Sequence, residues 1–111
     1  TTLFRSEINL TELEQQISVI SKPILLKFTA EWCPGCRQLA PVVESVSEQF
    51  GNQIVFFDVN VDKEIDLAKK FGVMSIPTLV LLKNGKEVDR VTAPAPNEDV
   101  IVSFIKNNYN A

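Results

Sequence analysis

Leu10, Leu13, Ile17 and Ile20 recur along one face of a helix, and Asn9 with Glu12 behind it offers the reciprocal cap that starts one. The spacing predicts a first helix over about Leu10 to Ser18. Ile24 to Ala30 is a short apolar run behind Pro23, which suits a strand buried on both faces. From Cys33 to about Phe50 the helical period returns, with Leu39, Val42, Val43, Val46 and Phe50 on one face and Gly51 as its C-cap. Pro41 falls inside this helix and is expected to kink it after about two turns. Ile54 to Val61 reads as a second buried strand, followed by Asp62 as a cap and a short helix ending at Phe71-Gly72. Thr78 to Leu82, the turn Asn84-Gly85 and Glu87 to Val91 carry a hairpin signal. Asn97 caps a last helix whose Val100, Ile101, Phe104 and Ile105 are expected to face the core, with Glu98 and Asp99 at its positive end and Lys106 at its negative end. Strands joined by helices pair in parallel and hairpin strands antiparallel, so the sheet should be mixed.

Both cysteines of the chain lie between the first strand and the second helix, in Trp32-Cys33-Pro34-Gly35-Cys36. On one helical turn their Cα atoms would be roughly 5–6 Å apart, inside the window in which a disulfide closes with little backbone movement. The pair is therefore expected to open and close reversibly. Cys33 would sit where unpaired N–H groups and the positive helix end favour an anion, which lowers its pKa and makes it an exposed nucleophile. Cys36 would then be the resolving thiol. Half of a zinc site is the competing reading, but the chain has no further cysteine and no histidine, so no metal is expected. A purely structural disulfide is the other, and closing so small a loop removes little unfolded-state entropy. Trp32 could be an ordinary core aromatic. A large ring beside a reactive thiol is better placed to shield it and to offer an apolar docking face.

Composition narrows the remaining possibilities. With 111 residues, 45% of them hydrophobic and 23% charged, the chain is expected to be one domain spanning 1–111. No apolar run approaches the roughly 20 residues that cross a bilayer, and Thr1 to Glu7 lacks the pattern of a secretory signal, so no membrane partner and a cytoplasmic location are expected. A formal charge of -3, with lysines scattered among acids, offers no basic face to a phosphate backbone; nucleic acid is not an expected partner. The absence of histidine leaves proton transfer to thiols, carboxylates, lysine or water.

Several separated motifs, in order, resemble the thioredoxin family over nearly the whole chain: Ala30-Glu31-Trp32-Cys33, then Arg37 and Pro41, Asn60-Val61-Asp62, Gly72-Val73 through Ile76-Pro77-Thr78, and Lys83-Asn84-Gly85. The resemblance implies a thioredoxin fold, a central mixed sheet of about five strands flanked by about four helices. It also implies dithiol-disulfide exchange on protein disulfides by a monomer with no bound cofactor, its own disulfide then being reduced again by a thioredoxin reductase-like electron donor. By the same resemblance Ile76-Pro77 is a cis peptide against the cysteine pair, and the Ile76 backbone pairs with an extended substrate segment.

Three pairs of residues depart from the family pattern. Pro34-Gly35 stands where thioredoxins usually carry Gly-Pro; proline suits the first helical position, and Gly35 is expected to offer its N–H to the Cys33 sulfur. A more stable Cys33 thiolate would make the disulfide more oxidising, so a disulfide oxidase or isomerase is the first alternative. A binding subunit without turnover is the second. Lys27 stands where the family usually has a buried aspartate, and Asp58 where it usually has the paired lysine. Each alone would be costly in its apolar strand, so the two are expected to form a partly buried ion pair beneath Cys36 and to tune or accept its proton. Thr29 and Thr92 replace an aromatic residue and a glycine, and no catalytic role is assigned to them.

Overall fold

A computed structural model describes residues 7–108. Asn9 closes the front of α1 (Leu10–Val19) through the reciprocal box, its Oδ1 accepting from the Glu12 N–H at 2.8 Å while Glu12 accepts from the Asn9 N–H at 3.0 Å. Leu13 is fully buried and Leu10, Ile17 and Ile20 pack beside it. β1 (Ile24–Thr29) leads into α2 (Pro34–Phe50), which starts with proline in its first turn, runs unbroken through Pro41 and ends on Gly51 at φ +59°. β2 (Val55–Asn60), α3 (Ile65–Lys70), β3 (Thr78–Lys83), β4 (Lys86–Thr92) and α4 (Glu98–Asn107) complete the order.

The sheet order is β2-β1-β3-β4, with β1 parallel to β2 and antiparallel to β3, and β3 antiparallel to β4. Among the described residues the sheet has four strands rather than about five, and an isolated parallel bridge joins Glu7 to Asp58 at the β2 edge. Strand alternation sorts the core into two layers. Leu25, Phe56, Leu79 and Leu81 point toward α2 and α4, meeting Leu39, Val43, Val46, Ile101 and Ile105. Ile24, Leu26, Phe28, Val80 and Leu82 point the other way, toward Leu13 of α1 and Leu67 of α3. Lys27 shares its parity with Leu25, so this charge is carried on the α2 face of the central strand.

Two expectations about the helices change. Val100 is 39% exposed, because the buried stripe of α4 is centred on Ile101 and Ile105; Phe104 packs only partly against the core. Asp62 does not cap α3: Glu64 stands at that position without a side-chain cap bond, and the Asp62 carboxylate is engaged elsewhere.

The hairpin turn is built as its Asn-Gly pair predicts, with Asn84 at φ +52° and Gly85 at φ +79°. A Cβ on Gly85 would lie 2.7 Å from Cγ2 of Ile17, so the turn is seated against α1 as well as left-handed. Gly85→Ala is expected to lower stability by about 1–3 kcal/mol, from the φ penalty and the crowded methyl together. Urea unfolding measures it, and a midpoint equal to wild type would mean that the turn relaxes freely.

Candidate active site

Cys33 is the residue that closes the amino end of α2. Its extended backbone (φ -89°, ψ 112°) turns the side chain back over the first turn, where the Cys36 N–H donates to Cys33 Sγ at 3.2 Å. The donor is the Cys36 amide rather than that of Gly35, because an N-cap side chain reaches the third residue of the helix. Cys33 and Cys36 are joined by a disulfide with their Cα atoms 5.2 Å apart, within the separation the helical spacing predicts.

Neither sulfur is openly exposed. Cys33 retains 5% exposure and Cys36 2%, enclosed by Ala30, Val61 and Ile76, which corrects the expectation of an exposed nucleophile. What is exposed is the frame: Trp32 at 63%, and Pro34 and Gly35 over the turn. Ile76-Pro77 is a cis peptide, as the resemblance implies, and Pro77 Cδ lies 3.6 Å from where a Gly35 Cβ would be. The Ile76 carbonyl oxygen stands 4.0 Å from Cys33 Sγ, a contact rather than a hydrogen bond, since a disulfide sulfur has no proton to donate. Pro77 accepts from the Ala93 N–H at 2.7 Å, and Thr78 Oγ1 donates to the Ser75 carbonyl at 2.7 Å.

Trp32 is held from outside the turn. Its Nε1 donates to Asp62 Oδ2 at 2.7 Å, and the loop carrying Asp62 is shaped by Asn60, whose Oδ1 accepts from the N–H groups of Asp62 and Lys63 at 3.0 and 3.2 Å. Arg37 donates to the Glu31 carbonyl at 2.8 Å and ties the start of α2 to the loop before the pair. The sequence reading assigned Asp62 to helix capping and gave Asn60 no task of its own. The usable signal is position: Asp62 lies just past the end of β2 and Trp32 just past the end of its parallel neighbour β1.

Lys27 and Asp58 are opposite each other in the parallel register of β1 and β2, with Lys27 Nζ 3.5 Å from Asp58 Oδ1. The lysine side chain is 4% exposed and the carboxylate 20%. Both line a cleft of about 200 Å³ with Cys36, Thr29, Arg37 and Asn60, so the pair shares the space behind Cys36. Of the residues singled out from sequence, the structure therefore gathers Trp32, Cys33, Pro34, Gly35, Ile76 and Pro77 on the outer side of the disulfide and Lys27 and Asp58 behind it.

Among the described residues no helix is long and apolar enough to cross a membrane.

The thioredoxin family model matches residues 5–107. The chain is 39% identical over 83 residues to thioredoxin 1 of Synechococcus elongatus, covering 75% of this chain and 78% of that one. It is 30% identical over 103 residues to the thioredoxin of Rickettsia bellii, covering 93% and 97%. Among solved structures, Fasciola hepatica thioredoxin superposes with a TM-score of 0.83 at 33% identity, covering 94% of this chain and 98% of that one. Oxidised mitochondrial thioredoxin 3 of Saccharomyces cerevisiae gives 0.81 at 26% identity, covering 94% of each.

Proposed function

Because this chain belongs to the thioredoxin family and works as a thiol-disulfide oxidoreductase that reduces protein disulfides, we propose a division of labour among its site residues. Cys33, as thiolate, attacks one sulfur of a substrate disulfide; a mixed disulfide forms and the other substrate sulfur leaves as a thiolate. Cys36 then attacks the Cys33 sulfur, the second substrate thiolate departs, and two electrons have passed to the substrate. The observation that carries this order is the Cys36 N–H aimed at Cys33 Sγ from the end of α2, a donor and a dipole that both stabilise negative sulfur there.

Trp32, Ile76 and Pro77 receive the substrate. The exposed ring and the Ile76 main chain flank the sulfur and fit an extended segment carrying the disulfide. Lys27 and Asp58 manage the charge of Cys36 from behind: the cation favours its thiolate, and Asp58, directly or through water in the cleft, takes its proton. The oxidised protein must be reduced again, so a thioredoxin reductase-like donor is its partner and the cytoplasm, where thiols are kept reduced, its compartment.

The Pro34-Gly35 turn keeps an oxidising role as the second reading, and the reduction potential decides between them. Titrating the Cys33–Cys36 couple against a dithiol buffer, followed by Trp32 fluorescence, should give a value near about -270 mV for a reductant. A value between about -180 and -120 mV would assign the chain to disulfide formation or isomerisation instead.

A further inference from the structure

Arg90 lies in β4, away from the disulfide, yet its side chain makes three hydrogen bonds of which two are to one carboxylate. Nε donates to Glu87 Oε2 at 2.6 Å and Nη2 to Glu87 Oε1 at 2.7 Å, a two-pronged pairing that fixes the plane of the guanidinium. The same Nη2 also donates to the carbonyl of Phe71. Glu87 is held below the usual carboxylate range by its hydrogen bond to Arg90, and Arg90 is raised by Glu87, so the pair stays ionised at neutral pH. Both side chains are about one-third exposed (33% and 30%), and an exposed ion pair by itself adds little stability. The informative bond is therefore the third.

Phe71 is where α3 ends. Its ring stands edge-on to Phe28 of β1, centroids 5.9 Å apart, and its carbonyl is one of the unpaired acceptors of a helix terminus. Gly72, at φ +61°, then turns the chain into the loop that reaches Pro77. The far end of this loop is held by the Ala93 N–H on Pro77 and by Thr78 on the Ser75 carbonyl. Between these anchors it presents Met74, 94% exposed, and Ile76 beside Cys33. We propose that Arg90 is a positioning residue for substrate capture: braced by Glu87, it fixes the near end of the Gly72–Pro77 loop and so sets where Met74 and Ile76 meet the polypeptide that carries the disulfide. The inference rests on the reading that Ile76 receives substrate.

The experiment compares wild type, Arg90→Met, Arg90→Lys and Trp32→Ala in the reduction of insulin and of a small aromatic disulfide, with dithiothreitol as electron donor. Arg90→Met should raise KM for insulin about 3–10-fold while kcat, the rate on the small disulfide and the reduction potential stay at wild-type values. Arg90→Lys, which keeps a donor for the Phe71 carbonyl, should recover part of the loss. An unchanged insulin KM in Arg90→Met, or an equal loss on both substrates accompanied by a lower Tm in both arginine variants, would overturn the assignment. If Trp32→Ala raises the insulin KM and Arg90→Met does not, the brace alone fails. If neither moves it, the docking reading itself falls.

Discussion

Replacing Cys33 by serine is expected to reduce protein-disulfide reduction to background, a loss of more than about a thousandfold, because a hydroxyl cannot carry the electron pair through a disulfide. The fold should survive, since serine is a preferred helix cap and its Oγ can accept the Cys36 N–H in place of sulfur. Cys36→Ser should fail differently. The first attack remains possible, the resolving step does not, and a covalent adduct with the substrate should accumulate at the summed mass of the two proteins. Mass spectrometry under non-reducing conditions reads both outcomes. An adduct in Cys33→Ser and none in Cys36→Ser would reverse the assigned roles. Full function with both cysteines replaced would mean that the chain acts by binding alone.

The Lys27–Asp58 pair carries the second large effect, and its asymmetry is what makes it testable. The lysine side chain is 4% exposed and the carboxylate 20%, so removing Asp58 takes this partner from the more deeply buried charge. Asp58→Leu is expected to cost about 3–5 kcal/mol, and Lys27→Met less, because the remaining carboxylate still reaches water. The double variant should cost less than the sum of the two, with a coupling on the order of 1–3 kcal/mol. Equilibrium unfolding of the four proteins closes the cycle; strict additivity would mean that a 3.5 Å separation across β1 and β2 has no energetic content. The same double variant should slow the resolving step relative to the first attack, which rapid-mixing kinetics with a fluorescent mixed disulfide would separate.

What could be read from the chain followed from how local each determinant is. The Asn9 and Glu12 box, the Asn84-Gly85 turn and the cysteine spacing are satisfied within a few residues of themselves, so the local pattern and the structure agree on them. The opposition of Lys27 and Asp58 was legible only through the family resemblance, which puts them where an aspartate and its paired lysine usually stand; the parallel register then sets them side by side. Features that depend on distant partners were not. Asp62 carries a local capping signal, and only the approach of Trp32 across the loop claims its carboxylate. Val100 stands in an unbroken apolar run where periodicity cannot choose the buried arc, and the position of α2 against α4 decides it. The enclosure of Cys33 arises from Ile76, 43 positions away, and the bracing of Phe71 by Arg90 from a strand 19 positions away.

The capping of α2 by Cys33 Sγ makes one atom answerable to both chemistry and architecture. When electrons arrive, the S–S bond that ties Cys33 to Cys36 opens and the Cys36 amide faces a stronger acceptor, so a charge-assisted hydrogen bond takes over from a covalent link in closing the first turn of the 17-residue α2.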